Sequence, residues 1–338
     1  MQQLTCVEEG RLEWIDVEPP RLQAPDDALV RPIAVARCEI DPLLIRQGPR
    51  SVPFAVGHEA IAEVIAVGDD VRGVSIGDVV APSFQLCCGR CGPCERGHTA
   101  SCATYPILSD YGMASMSGTE YGGMLSDVVR VPHADAMLFR LPPGVEPAAV
   151  ASAADNIADG CRAVAPHLAQ RPGSAVLIVC HGNRSIALYA VQAALALGAS
   201  DVVFECDDAP TLDIAIGLGA TAVPLQFDRR NGRWPIVVDC GTDPRGIQHA
   251  IDSTEPDGVV HSVSYFPDAL TGVPLGKMYT LGVDLHIGRV HSAAMLPTVL
   301  QLLGEGRVRP DRVPTTTVAW DEAPARYLEP ATKLVVAR

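Results

Sequence analysis

The segment Cys88-Gly-Arg-Cys91-Gly-Pro-Cys94, followed by Cys102, constrains this chain more than any other. Read from Cys88 the spacing is C-x2-C-x2-C-x7-C. Four thiolates at such intervals can close a tetrahedron around Zn²⁺, and the intervening glycines let the backbone wrap tightly round the ion. An iron–sulfur cluster satisfies the same ligand count, but nothing else in the chain suggests electron transfer. Paired disulfides would require an oxidising compartment. Cys87, the immediate neighbour, is set aside as a non-ligand. A closed four-thiolate site ties down a loop and does no chemistry, so the function has to be sought elsewhere.

With 338 residues there is room for one or two domains with full cores. Lys and Arg number 26 against 40 Asp and Glu, a formal net charge of -14, which argues against nucleic acid or an anionic membrane as partner. The mixed, acidic opening MQQLTCVEEGRLEW does not have the pattern of a secretory leader, and no apolar run is long enough to span a bilayer. A reducing cytoplasm is therefore expected for the eleven cysteines, with clustered ones read as ligands and scattered ones as small hydrophobes.

The chain falls into textures. Up to about residue 135, short β-type runs such as Ala28–Val35, Ala60–Val67 and Leu125–Val131 are separated by Gly, Pro and Asp, the pattern of a barrel-like all-β domain. Beyond Leu141-Pro142-Pro143 an alanine-rich stretch predicts a helix from Pro147 to about Leu168. Apolar strands at Ala175–Cys180, Val202–Glu205 and Ile236–Cys240 then alternate with helices at Ser185–Leu197 and about Pro210–Leu218. That alternation predicts a parallel sheet covered on both faces. A helix near Ala294–Leu303 and a strand near Leu334–Ala337 close the chain.

A second constellation lies outside the cysteine run: Cys38-Glu39-Ile40-Asp41, then Gly57-His58-Glu59, then Asp155. Cys, His and a carboxylate suit a zinc that keeps an open fourth position. A single His beside a Glu in a β region is more often a structural pair, so each is weak evidence alone.

Taken together, the Gly57-His58-Glu59 motif before Ala60–Val67, the four-cysteine spacing and the sheet half that follows resemble the zinc-dependent medium-chain alcohol dehydrogenases over essentially the whole length. The resemblance implies an α/β architecture: a GroES-like β-barrel catalytic domain with the zinc lobe (residues 1–150), a doubly wound Rossmann domain (151–290) and a C-terminal return to the catalytic domain (291–338). It implies Cys38, His58 and Asp155 as catalytic zinc ligands, with Glu59 a neighbouring carboxylate able to exchange at the metal. Asp155 stands where other members carry Cys or Glu. The implied reaction moves hydride between a nicotinamide and an alcohol/carbonyl pair, with substrate in the cleft between domains. The implied assembly is a homodimer or homotetramer, with Val283–Gly288 able to supply a seam strand.

Two departures stand out. Members of the family begin a proton relay with Ser or Thr two residues after the zinc cysteine and often end it on a His three residues on. Here those positions are Ile40 and Leu43, which leaves water or Glu39 to move the proton. Asp41 reads as structural. The nucleotide loop departs too: Gly182-Asn183-Arg184-Ser185-Ile186-Ala187 places Gly182 at the first position of G-x-G-x-x-G, Arg184 at the second and Ala187 at the third. The cofactor-binding set is Gly182, Asn183, Arg184, Ser185, Ile186 and Asp207. The ribose-binding acid falls nearest Cys206, with Asp207 as its substitute, and the acids at Glu205, Asp207 and Asp208 favour NAD over NADP.

His181, His261, His286 and His291 are expected to have no role, and Cys161, Cys180, Cys206 and Cys240 to be core. The loops Gln47–Phe54 and Ile107–Met124 carry few charges, which favours a neutral or apolar small-molecule substrate. The damaged nucleotide loop and missing relay leave a second reading: a non-redox zinc lyase or cyclase on the same scaffold.

Overall fold

At the centre of the first unit, the strand Ala28–Arg37 pairs antiparallel with Glu59–Val67 on one side and Lys333–Ala337 on the other. Its alternating Ala and Val positions are buried against Leu4, Val64, Val80, Met124 and Leu334. Pro32, which cannot donate to a ladder, sits at a register shift, the place where a strand tolerates it. The strand runs two residues beyond the expected Val35 because the C-terminal strand continues the ladder, Leu334 facing Arg37 and Val335 facing Ala36. Among the described residues the full sheet has seven strands.

The computed structural model describes residues 1–47, 52–113, 117–266 and 270–338. Parts of the presumed substrate loops Gln47–Phe54 and Ile107–Met124 thus lie outside the described residues. The first unit comprises Met1–Ala158, Val290–Gly304 and Pro314–Arg338, and the second Asp159–Arg289 and Glu305–Val313. No helix among the described residues is long and apolar enough to cross a membrane.

The second unit is built on six parallel strands ordered Thr221–Pro224, Val202–Cys206, Val176–His181, Trp234–Gly241, Thr254–Ser262 and Asp284–Ile287. This is the doubly wound order in which the chain reverses direction between the third and fourth of these strands. Helices flank it, including Arg184–Ala196, Ala209–Leu218 and Pro244–Asp252. The run Val176–Cys180 is wholly buried, which is why it reads as continuous apolar sequence instead of alternating.

The alanine-rich stretch from Pro147 is not one helix. It forms a 3-10 turn at Ala148–Val150, turns through Asp155, and then helices at Asn156–Arg162 and Ala165–Gln170. Ser292 donates its hydroxyl to the Ala154 carbonyl at 2.6 Å, and the Ser152 carbonyl accepts from both Asp155 and Ile157 amides. The tertiary bond from Ser292 and the local turn bonds at Ser152 hold the break open against alanine's helix propensity.

Candidate metal centres

Register explains why one end of the first unit's sheet becomes polar. Ala36 faces Glu59 across one ladder and Arg37 faces Leu334 across the other. Cys38, His58, Glu59 and Lys333 therefore emerge side by side from three adjacent strands, and the turn before Asn156 adds Asp155. One donor atom each from Cys38, His58, Glu59 and Asp155 lies within 4.8 Å of every other. His58 is seated by backbone contact: Gly57 has φ +90°, and a Cβ on Gly112 or Gly123 would strike the Val56–Gly57 backbone at 2.2 Å. Met124 donates its amide to the Gly57 carbonyl at 2.7 Å, completing the clamp.

Each ring nitrogen of His58 has a distinct task. Nε2 points at the cluster, 3.2 Å from Asp155 Oδ2, and Nδ1 lies 3.4 Å from Asp41 Oδ1. Asp41 faces Nδ1 through its charge and not through a hydrogen bond, so a proton on Nδ1 would be favoured there and would leave the Nε2 lone pair for a metal. Asp41 is itself fixed by the Cys38 amide at 3.1 Å and the Tyr327 hydroxyl at 2.6 Å. The sequence assigned Asp41 a structural part, and its service to His58 is visible only in three dimensions.

Glu59 is fully buried, and Lys333 Nζ reaches both its oxygens at 2.9 and 3.0 Å. Lys333 also donates to Asn156 Oδ1, and Asn156 Nδ2 donates to Cys38 Sγ at 3.5 Å. Neither Asn156 nor Lys333 was singled out in the sequence. A lone lysine in a terminal strand gives no signal of this kind, although a chain with only two lysines makes a buried one notable.

The electrostatics call for a cation. Burial, then the charges of Asp155 and Glu59, push the Cys38 thiol well above its ordinary range. Burial raises Glu59 to about 8 against the pull of Lys333. Burial lowers His58, but Asp41 and Asp155 outweigh it and carry it to about 9. Burial also acts to raise Asp155, yet the hydrogen bond and charge of His58 hold it low. A cation bound among Cys38, His58, Glu59 and Asp155 would favour release of the protons that burial holds on Cys38 and Glu59. The sulfur, imidazole and carboxylate donors are those zinc takes.

The four-cysteine run forms a second cluster, with Cys88, Cys91, Cys94 and Cys102 sulfurs within 4.8 Å of one another. Backbone amides aim at the sulfurs: Cys88 to Cys102 at 3.3 Å, Ala103 to Cys91 at 3.3 Å and Thr104 to Cys102 at 3.4 Å. Such bonds favour thiolate, and those from Ala103 and Cys94 lower Cys91 to about 6. Cys87 turns away toward the Ala136 carbonyl.

In the second unit, Gly182 lies between the strand Val176–His181 and the helix Arg184–Ala196, whose N-cap Asn183 makes no side-chain capping bond. A Cβ on Gly182 would meet Gly241 Cα at 3.2 Å, so this glycine serves a close approach between strand ends. Ser185, Ile186 and Ala187 are buried in the helix, and Arg184 stands 3.5 Å from Asp208. The acids that follow have separate duties. Glu205 is buried against His249 (2.6 Å) and Asn231 (2.9 Å), and Asp208 caps the next helix through the Thr211 amide; Asp207 is exposed. His181 bonds Asp239 at 2.8 Å, and His167 bonds His261 at 2.8 Å. Cys161, Cys180, Cys206 and Cys240 are wholly buried.

A model of the alcohol dehydrogenase GroES-like domain matches residues 24–143. A probable zinc-binding alcohol dehydrogenase of Mycobacterium tuberculosis is 30% identical over 333 residues, covering 93% of this chain and 81% of that protein. The chain belongs to the zinc-dependent medium-chain dehydrogenase family. As a member it is an oxidoreductase. A geraniol dehydrogenase of Castellaniella defragrans is likewise 30% identical, covering 88% of this chain and 87% of that protein. The solved alcohol dehydrogenase of Thermus sp. ATN1 superposes with a TM-score of 0.88 at 26% identity, covering 100% of this chain and 99% of that one.

Proposed function

We propose that this dehydrogenase transfers hydride between a nicotinamide, preferentially NAD(H), and a neutral alcohol/carbonyl pair, with a catalytic zinc held by Cys38, His58 and Asp155. The observation that carries the proposal is the convergence of one donor atom each from Cys38, His58, Glu59 and Asp155 within 4.8 Å of one another, the first three buried. When bound, the ion supplies Lewis acidity at the substrate oxygen and the nicotinamide supplies the hydride acceptor or donor. Asp41 holds the His58 ring in the tautomer that offers Nε2. Lys333 keeps both oxygens of Glu59 occupied, so three ligands remain and a position stays open for substrate. Ile40 and Leu43 offer no hydroxyl or imidazole. The nearest carboxylate in sequence is Glu39, whose charge reaches Cys38, and it takes the proton-carrying role.

The open N-terminus of the helix Arg184–Ala196 offers amides to a pyrophosphate, with Gly182 allowing close approach and the Arg184 guanidinium adding charge. The NAD preference rests on Asp207, the acid left facing solvent near the ribose position. A homodimer or homotetramer fits the exposed apolar side chains near the sheet edge, Tyr279 (91% exposed) and Ile287 (58%).

Titration of the purified, zinc-loaded protein with NADH and with NADPH, followed by nicotinamide fluorescence, tests the proposal. Saturable binding with NADH tighter than NADPH is expected. No binding of either at millimolar concentration would sink the dehydrogenase reading and favour a non-redox zinc enzyme, as the aliphatic Ile40 and Leu43 would then suggest.

A further inference from the structure

The amide of Asn156 lies between a cation and a ligand sulfur. Asn156 is fully buried, its Oδ1 accepts from Lys333 Nζ, and its Nδ2 donates to Cys38 Sγ at 3.5 Å. Oxygen and nitrogen of an amide are not told apart by shape, but here the partners decide. An ammonium has only donors, so it must face Oδ1, and Nδ2 is left to point at the sulfur. Lys333 is in turn held by both oxygens of Glu59. Four side chains thus form one chain of hydrogen bonds, Glu59 to Lys333 to Asn156 to Cys38, whose two ends are members of the cluster. In a buried setting such a chain polarises along its length, so each bond strengthens the next.

We infer that Asn156 is a positioning residue for the metal centre, its amide oriented by Lys333 so that Nδ2–H donates to the Cys38 thiolate and withdraws electron density from it. The inference rests on the reading that this cluster holds zinc. A thiolate that spends lone-pair density on an N–H gives less to the metal, so the ion keeps more of its Lewis acidity for substrate. The same bond fixes the direction of the sulfur lone pairs. Partners that orient ligands in this way typically change metal affinity by about 10–100-fold when removed. Lys333 contributes doubly: it occupies Glu59, and it prevents the Asn156 amide from turning its oxygen to the sulfur.

The test is metal replacement. The wild-type protein and the variants Asn156→Ala, Asn156→Asp and Lys333→Met are stripped with a chelator and reloaded with Co²⁺. Their sulfur-to-cobalt charge-transfer spectra are then compared. The contribution of Cys38 is the part lost in Cys38→Ser, and the rest belongs to the four-cysteine site, whose full occupancy reports that the fold is intact. In Asn156→Ala the Cys38 component should move to longer wavelength, because a sulfur relieved of its hydrogen bond gives up electrons more easily. That equivalent of metal should bind about 10–100-fold more weakly while the four-cysteine equivalent is unchanged. Asn156→Asp, which replaces the donor by an acceptor, should exceed Asn156→Ala in both respects. Lys333→Met should produce the wavelength shift with Asn156 in place, since the amide is then free to turn, and the comparison is made in a Glu59→Gln background so that no freed carboxylate joins the metal. An unmoved Cys38 component and unchanged affinity in Asn156→Ala, or in Asn156→Asp if the alanine variant does not fold, would overturn the inference. A shift in Asn156→Ala without one in Lys333→Met would overturn the part given to Lys333. Absence of any Cys38 component in the wild-type spectrum would instead overturn the zinc reading beneath it.

Discussion

Lys333 Nζ lies 2.9 and 3.0 Å from the two oxygens of Glu59, a buried ion pair joining residues 274 positions apart. Both side chains are essentially inaccessible to water, so neither charge has another source of solvation. Removing one partner of such a pair leaves the other uncompensated, at a cost of about 3–5 kcal/mol. Lys333→Met should therefore destabilise the metal-free protein by that order above about pH 8, where Glu59 is ionised, and by less below it. The zinc-loaded protein should lose less, because the freed Glu59 can turn to the ion. Denaturant unfolding with and without chelator measures both. Equal losses in the two states would show that Glu59 is not coupled to the metal.

Cys38→Ser and His58→Ala should each abolish turnover while the chain stays folded. Each removes a donor to the cluster but leaves the core of the sheet in place. Metal analysis should find one zinc where the wild type holds two. Full activity in either variant would remove zinc from the catalytic step.

Cys102→Ser tests the other cluster. Cys102 takes amide hydrogen bonds from Cys88 and Thr104 as well as standing among the four sulfurs, so its loss opens the lobe. The variant should lose one zinc and melt at a lower temperature, with the Cys38 site still able to load. Calorimetry and metal content read the two effects separately.

The contribution of Glu59 and His58 to the stability of the metal-free protein should fall as pH rises from about 5 to 9. The folded state holds a proton on Glu59 up to about 8, where the unfolded chain releases it near 4.5, and on His58 up to about 9, where the unfolded chain releases it near 6.5. Where the native state binds more protons, stability falls with rising pH. The stabilisation is complete below the unfolded values and is lost through the folded ones. Zinc requires those protons to leave, so its affinity rises over the same range. The drop in melting temperature on chelation should therefore grow with pH, and a constant drop between pH 6 and 9 would contradict this.

The second unit should show the opposite slope in acid. Burial lowers His261 to about 2 and His167 to about 4, both from 6.5, and the two rings are hydrogen-bonded to each other at 2.8 Å. Between those values the unfolded chain binds more protons, so their stabilisation is present above pH 6.5 and lost as pH falls. With wild type and variant both in chelator, so that the Glu59 and His58 contributions cancel, the melting temperature of His261→Phe relative to wild type should rise as pH falls from 7 to 5.

Much of this was legible in the sequence because it depends on local spacing. The four-cysteine run announces its own cluster, since the ligands lie within one short loop. The apolar strands Val176–His181 and Val202–Cys206 and the helix Arg184–Ala196 fall within a residue or two of their expected bounds, because burial on both faces imposes an unbroken apolar run. Other elements were hidden. Thr254–Ser262 is one: it is paired on both sides only from Val259 to Ser262, and its Glu-Pro-Asp-Gly falls at a register shift. The single helix expected from Pro147 failed because alanine propensity is a fraction of a kcal/mol per residue. Hydrogen bonds from Ser292 and around Ser152 outweigh it and turn Asp155 toward His58.

The Cys38–His58–Glu59–Asp155 cluster divides along the same line. The sequence by itself determined the donor types, Cys38, His58, Glu59 and Asp155, and through the resemblance their grouping. Only the tertiary structure decided what supports them: Asp41 behind His58, Lys333 across Glu59, and Asn156 between Lys333 and Cys38. The reason is physical. Ligands are few and chemically distinctive, so their residue types show in a sequence. Their supports are ordinary residues, made partners by strand register that brings position 333 beside positions 38 and 59, and register is a property of the folded sheet.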